Sequence, residues 1–360
     1  MIALLTGVTG LVGSHVAIAM LNRGHRVVAL SRNRHGAAAE KRVVRLLEAY
    51  PGWRASDRPL ADILVLDGDL LKPSCGVKPQ DLATLRGNVD VLLHCAGEVL
   101  FLPAAKMQDT LRVNTEGVKN MLALARELRC PRMVHVSTAY VDGGHHETGF
   151  RTDYERTKAE GENILKNLAA PGFNAVILRP SIITGDQVHG FSPTFNGIYP
   201  FLRFVAENWA ILRHVPPDRW LPDRFYRDQA LNLVPGEVVA EAVRGLAEDP
   251  SGRRRVLTLI NPVDWPVRDL VQIVAAYFQA NPHGCDMNPM AEGMNVATVK
   301  RNAQTLLGIY APYVGTRLRV AADSGNALEA IKGMPVFNNR PEWIHALLDW
   351  CVKQCWQEVT

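Results

Sequence analysis

A chain of 360 residues is long enough for one large domain or two modest ones, and 47% hydrophobic with 21% charged residues is the composition of a protein with a well-buried core. The net charge is only +4, with no block of like charge, which argues against a nucleic-acid footprint or a polybasic membrane anchor. No apolar run reaches membrane-spanning length, and Met1 is followed at once by a strand-like run, so the expectation is a cytoplasmic protein without a leader or a transmembrane segment.

The chain opens with an apolar run, Ile2 to Leu5, then TGVTGLVG, Thr6 to Gly13, then a helix-like stretch, Ser14 to Asn22. Strand, glycine turn and helix in this order predict a dinucleotide site. Gly7 permits the tight turn, Gly10 lets backbone N–H groups approach a pyrophosphate, and Gly13 lets the helix pack close on the strand, with the helix N-terminus facing the phosphate charge. Further strand-like runs at Arg26 to Leu30, Ile63 to Leu66, Val89 to His94, Met133 to Val136 and Ala175 to Leu178 alternate with helix-like segments at Ala37 to Tyr50, Thr115 to Leu128 and Tyr154 to Leu168. A helical stretch, Glu237 to Ala247, and a strand, Arg255 to Ile260, follow. That alternation predicts an α/β fold with a doubly wound parallel sheet of the Rossmann type.

Between Gly185 and Asn232 the pattern breaks into a region rich in proline and aromatic residues, among them Phe191, Phe195, Tyr199, Phe201, Trp209, Trp220, Phe225 and Tyr226. Beyond Asn261 helical segments are expected near Val267 to Gln279, Glu292 to Leu307 and Pro341 to Trp356. These parts predict a smaller, mostly helical substrate-binding region over 185–229 and 263–360, set against a cofactor-binding domain over 1–184 and 230–262. The six cysteines form no CxxC pair and no metal-ligand spacing with histidine, so reduced, mostly buried thiols and no metal are expected. His145 and His146, beside Glu147 in a glycine-rich turn, are read as a solvated loop.

Tyr154 and Lys158 form YxxxK, which on a helix puts both side chains on one face, and Thr152 and Glu155 make a capping-box pattern at its start. A free phenol titrates near pH ~10, so a nearby ammonium that stabilises the phenolate would bring Tyr154 into use as a proton donor or acceptor. Thr138, in VSTAYV after the strand Met133 to Val136, lies where open α/β sheets bind ligands, and its hydroxyl is placed to bond a substrate oxygen beside Tyr154. Ser137 is the neighbouring candidate, and strand alternation predicts that only one of the two faces the site. After the second strand, Ser31, Arg32, Asn33 and Arg34 supply no carboxylate for the ribose 2′-OH of NAD.

Together, TGxxGxxG, the Ser/Thr after a central strand and YxxxK resemble the extended short-chain dehydrogenase/reductase superfamily over roughly residues 1 to 262. Segments such as VDVLLHCAGEVLF, VNTEGVKNMLALA, MVHVSTAYVDG and LNLVPGEVVAEAV are similar to its thioester reductase and fatty acyl-CoA reductase branch. The resemblance implies NADPH as cofactor, with Arg32 and Arg34 at the adenosine phosphate. Thr6, Gly7, Thr9, Gly10, Leu11, Val12 and Gly13 would form the phosphate turn, and Asp69 and Leu70 would border the adenine. Cys95, Ala96 and Gly97 would line the passage from adenosine to nicotinamide and Asn114 the turn after it, with Pro180, Ser181, Ile182 and Ile183 on the nicotinamide face. Thr138, Tyr154 and Lys158 carry over as the catalytic residues, Tyr154 and Lys158 also touching cofactor. The implied reaction is reduction of a thioester on coenzyme A or an acyl-carrier protein to an aldehyde or onward to an alcohol, with any carrier arriving in trans. Two other readings stand beside it. One is an NADP-dependent dehydrogenase, ketoreductase or epimerase using the same three residues, and the other is an NADP sensor without turnover.

Overall fold

The structure is a computed structural model, and it describes all residues except 35, 54–61, 100–106, 145–148, 171, 250, 252–254, 282–295, 311–312, 321–323, 336, 338 and 360. The cofactor half runs β1 (Ile2–Thr6), α1 (Leu11–Asn22), β2 (Arg26–Ser31), α2 (Ala39–Ala49), β3 (Ile63–Asp67), α3 (Pro79–Leu85), β4 (Val91–His94), α4 (Met107–Glu127), β5 (Arg132–Val136), α5 (Asp153–Leu168) and β6 (Asn174–Pro180). After it come β7 (Ile182–Thr184), α6 (Tyr199–Glu207), α7 (Trp209–Leu212), α8 (Asp223–Tyr226), β8 (Ala230–Leu231), β9 (Leu233–Pro235), α9 (Gly236–Glu248) and β10 (Arg255–Leu259). The chain ends with β11 (Trp265–Pro266), α10 (Val267–Ala280), α11 (Val296–Tyr310), β12 (Gly325–Asn326), α12 (Ala327–Ala330) and α13 (Pro341–Lys353).

Eight strands make one parallel sheet in the order β12-β10-β6-β5-β4-β1-β2-β3. Strands such as Ala3–Leu5 and Val91–Leu93 are fully buried because helices cover both faces, which is why they read as unbroken apolar runs rather than alternating ones. One face packs on α1, α2 and α9 through Val16, Met20, Leu46 and Val239, and the other on α3, α4 and α5 through Leu82, Met121 and Leu165. Parallel strands all end at the same edge, and the order in which strands are added reverses between β1 and β4, so a crevice opens there.

A separate apolar core joins residues of 198–233 to residues of 265–356, including Tyr199, Leu202, Trp220, Phe278, Trp343 and Leu347. Most of the aromatic residues between Gly185 and Asn232 serve these cores. Only Phe201 and Phe225 of those singled out from the sequence reach the crevice. The helix expected from Glu292 is described from Val296 onward, since 282–295 lie outside the described residues, as do His145 to Glu147. The helical tail also returns to the main sheet, because β12 pairs with β10 through Leu257 and Gly325. No helix among the described residues is long and apolar enough to cross a membrane.

Helix α5 is drawn onto α4 and β6 by two contacts. A Cβ on Gly161 would lie 2.5 Å from the Asn114 carbonyl oxygen, so only glycine permits this approach. Behind it Arg179 donates to both Glu162 oxygens at 2.9 and 2.7 Å, a pair with 3% and 1% of its side-chain surface exposed. Burial pushes the Glu162 carboxyl up, but the Arg179 hydrogen bonds and charge outweigh it and leave the group below its ordinary 4.5. Glu162→Gln leaves the Arg179 charge buried without its partner, and we expect a loss of about 3–5 kcal/mol in denaturant unfolding at neutral pH. Because the folded value is depressed, the contribution is complete above pH 4.5 and is lost as pH falls through the folded value. The gap between the two proteins should therefore narrow only in acid.

Candidate functional site

The crevice holds a cavity of about 570 Å³ that runs from the glycine turn, past the ends of β4, β5 and β6, into the helical half. At one end Thr6 to Gly13 form its floor. Gly7 has φ +75°, and a Cβ there would lie 2.6 Å from the Ala96 nitrogen. A Cβ on Gly13 would fall 2.1 Å from the Gly7 oxygen, so the turn closes only without side chains at these positions. Thr6 Oγ1 accepts the Ala96 N–H at 3.3 Å and pairs with His94 Nδ1 at 2.8 Å, which ties the glycine turn to the next loop of the groove.

The polar end carries Arg32, Arg34 and Arg42, with Ser31, Asp69 and Leu70. Arg42 was not foreseen. It lies on α2 with no motif around it, and its guanidinium donates to the Arg32 carbonyl at 2.7 Å, which brings it to the same corner. Burial, and then the charges of Arg34 and Arg32, lower its pKa, the mark of a cationic cluster. Asp67, at the end of β3, is taken up by Asn33, whose backbone and side-chain nitrogens donate to it at 3.0 and 2.7 Å. Three guanidiniums with their carboxylate neighbour so occupied fit a phosphate ester, and the glycine floor fits the pyrophosphate of a nicotinamide dinucleotide.

In the middle lie Cys95, Ala96, Gly97, Ser137, Thr138, Tyr154 and Pro180 to Ile183. Ser137 and Thr138 both line the cavity, contrary to the alternation expected of them, because β5 ends at Val136 and the chain turns into a 3-10 segment from Ala139. Thr152 caps α5 by accepting the Glu155 N–H at 3.2 Å, as the capping pattern requires, and this first turn presents Tyr154. Burial pushes the Tyr154 phenol up to about 12, a hydrogen bond with Thr138 partly opposing it. Tyr154 is thus a neutral phenol at ordinary pH. Lys158, 5% exposed, does not line the cavity. Its Nζ donates to the Val136 carbonyl at 3.0 Å and lies 2.8 Å from where a Gly97 Cβ would be, and burial lowers its pKa to about 8.

Asn114 also stands one layer back, buried on α4. Its side chain accepts the Glu98 N–H at 3.0 Å and donates to the Glu98 carbonyl and to Thr157 Oγ1 at 3.2 Å each, holding the loop after Gly97 against α5. Stacked under the same floor are His94 and His135, ring centroids 5.2 Å apart and held neutral by burial. Burial pushes the Cys95 thiol up to about 12, which makes it a poor nucleophile. The far lobe is lined by Ile182, Ile198, Phe201, Leu221, Phe225, Leu231, Val267, Leu270, Tyr313 and Val314, none of them charged. The residues from the helical tail had no sequence signal, since nothing in a lone Val267 or Tyr313 distinguishes pocket from core.

The profile of the family described as Male sterility protein matches residues 5–243. The chain is 24% identical over 283 residues to the L-2-aminoadipate reductase large subunit of Eremothecium gossypii, covering 71% of this chain and 19% of that protein. It is 27% identical over 217 residues to the fatty acyl-CoA reductase wat of Drosophila melanogaster, covering 57% and 38%. The chain spans about a fifth of the length of the first curated relatives it matches. Among solved structures, the terminal R domain from the myxalamid PKS-NRPS biosynthetic pathway superposes with a TM-score of 0.74 at 20% identity, over 99% of this chain and 92% of that one. UDP-glucuronic acid 4-epimerase from Bacillus cereus in complex with NAD gives 0.61 at 15% identity, over 99% and 100%. These superpositions establish the fold.

The two inner glycines predict a separation of effects. A Cβ at Gly10 would meet only the Gly7 oxygen, at 3.3 Å, while the residue lines the groove. Gly10→Ala is expected to keep its melting temperature within a few degrees yet weaken binding of reduced nicotinamide dinucleotides about tenfold by fluorescence titration. Gly13→Ala should instead lower the melting temperature sharply, because backbone must move.

Proposed function

Because the chain belongs to the Male sterility protein family, within the extended short-chain dehydrogenase/reductase superfamily, we propose that it is an oxidoreductase that reduces an acyl thioester with NADPH. The acyl group arrives on coenzyme A or an acyl-carrier protein, and the product is an aldehyde, open to a second reduction to the alcohol. The observation that carries this reading is the position of Thr138 and Tyr154, between a groove suited to phosphates and an uncharged lobe. In this division residues 1–184 and 230–262 hold the cofactor, while 185–229 and 263–360 enclose the acyl group.

Bound along the groove, NADPH supplies the hydride. Arg32, Arg34 and Arg42 would hold its 2′-phosphate, Gly7 to Gly13 its pyrophosphate, and Pro180 to Ile183 the nicotinamide face. Thr138 Oγ1 and Tyr154 Oη hold the thioester oxygen, and Tyr154, kept as the phenol by burial, has a proton to give that oxygen as charge develops on it. Lys158, an ammonium below about pH 8, would offset the charge left on Tyr154 from behind Gly97, while Asn114 fixes the loop after Gly97. The hemithioacetal then expels its sulfur as a thiol, because thiolate is the better leaving group. Cys95 has no covalent part in this route.

The lobe also argues for the kind of acyl chain. A 2-aminoadipoyl group would bring a carboxylate and an ammonium among Phe201, Leu270 and Val267, apolar side chains that offer no counter-charge. Unpaired charge in such surroundings is strongly disfavoured, whereas each buried methylene gains about 0.8 kcal/mol. A hydrocarbon chain fits this lobe.

Thiol release is the decisive measurement, since reduction of a ketone expels nothing. With octanoyl-CoA we expect thiol to appear in step with NADPH oxidation, one cofactor per thiol if reaction stops at aldehyde and two if it proceeds to alcohol. Tyr154→Phe should abolish it while NADPH affinity stays within twofold. Turnover of ketones or secondary alcohols without thiol release would replace this reading by the dehydrogenase one.

Arg42→Ala tests the cofactor. Loss of a charged contact worth about 1.5–3 kcal/mol should raise the KM for NADPH at least tenfold and leave that for NADH within twofold. Equal effects on the two would remove the 2′-phosphate assignment.

A further inference from the structure

Residues 313–316 of the helical tail cross back to the turn that presents Tyr154. Tyr313 is buried, and its hydroxyl pairs with Thr152 Oγ1 at 2.9 Å, the N-cap of α5 two residues before Tyr154. Arg151, on the other side of that cap, donates to Thr316 Oγ1 at 2.6 Å, and its backbone N–H reaches Glu155 at 2.9 Å. The Tyr313 ring stands edge-on against Tyr140, centroids 4.6 Å apart at 85°, and Tyr140 follows Thr138 by two residues. Gly315 anchors the far end by donating to the Ala230 carbonyl at 3.0 Å. One short segment therefore touches the turns of both residues assigned to the substrate oxygen, while Tyr313 and Val314 wall the lobe.

We infer that Tyr313 is a positioning residue for Tyr154, and that the strap Tyr313 to Thr316 couples the wall of the acyl lobe to the aim of the proton donor. A helix start is held less firmly than its interior, because its first N–H groups have no partner within the helix; here Thr152 meets that of Glu155. Two hydrogen bonds from a separate part of the chain remove that freedom at the position where a small displacement of the phenol costs most in rate. The Tyr313 phenol is also close enough to Tyr154 that ionisation of one opposes ionisation of the other. A chain filling the lobe would press on Tyr313 and Val314 and so on the cap of α5.

This inference rests on the proposed function only in taking Tyr154 as the proton donor. Tyr313→Phe keeps the ring against Tyr140 and removes the hydroxyl. In the full chain, with octanoyl-CoA and NADPH, kcat is expected to fall about tenfold while KM and the NADPH dissociation constant stay within twofold and the melting temperature within a few degrees. Thr316→Val, at a half-buried position, cuts the second tie and should lower kcat about threefold with the same split. Thr152→Ser, which keeps the cap hydroxyl, should retain kcat. An unchanged kcat in Tyr313→Phe overturns the inference, as does a loss of kcat, NADPH affinity and melting temperature together. Should Tyr313→Phe not fold, Thr316→Val decides alone, an unchanged kcat refuting the coupling. If the wild type releases no thiol, the thioester reading falls and the same variants are read with octanal, because aiming the phenol matters for any carbonyl.

Discussion

Everything near the phenol depends on how closely α5 lies on α4. Gly161 rests on the carbonyl of Asn114, where no side chain fits, and the same asparagine reaches forward to Glu98 and sideways to Thr157. One residue on α4 thereby sets both the height of α5 and the position of the loop after Gly97. Arg179 and Glu162 lock the arrangement from behind, a buried pair whose geometry is good enough that the carboxyl stays ionised against the cost of its burial. Tyr154 and Lys158 inherit their places from this packing.

The electrostatics of the crevice divide along its length. The end at the glycine turn gathers guanidiniums and backbone N–H groups, a phenol and an amine that burial has drawn toward their neutral forms stand in and behind the middle, and apolar side chains such as Phe201 and Leu270 wall the lobe. A phenol held near 12 keeps its proton at ordinary pH. The lysine is turned to the Val136 carbonyl and to the underside of Gly97. The expected pairing of ammonium with phenolate is thus less intimate than YxxxK spacing alone suggests.

Much of this was legible in the chain. The strand-like runs from Ile2 to Leu178 correspond to β1 to β6 in order, and the parallel sheet follows from their alternation with helices. The capping pattern at Thr152 and Glu155 is present as a hydrogen bond, because local chemistry at a helix start needs only neighbours in sequence. The glycine turn is legible for the same reason. Errors fell where the backbone left regular structure: Ser137 and Thr138 share the cavity because the strand has already ended, and alternation no longer applies. Aromatic density between Gly185 and Asn232 marked a second core more than a pocket, since large rings are buried wherever helices meet.

The sequence by itself determined the order of the elements, the parallel sheet, the crevice at its carboxyl edge and the residues that bring glycine, hydroxyl, phenol and amine to that edge. Each of these follows from periodicity or from contacts within a few residues. Only the tertiary structure decided what comes from far away: Arg42 joining Arg32 and Arg34, His94 and His135 stacked beneath the floor, Val267 and Leu270 walling the lobe, and Tyr313 bonded to the cap of α5 across 161 residues. Such contacts are set by how helices pack, and packing depends on shape and burial summed over the whole core, which no local pattern in the chain records.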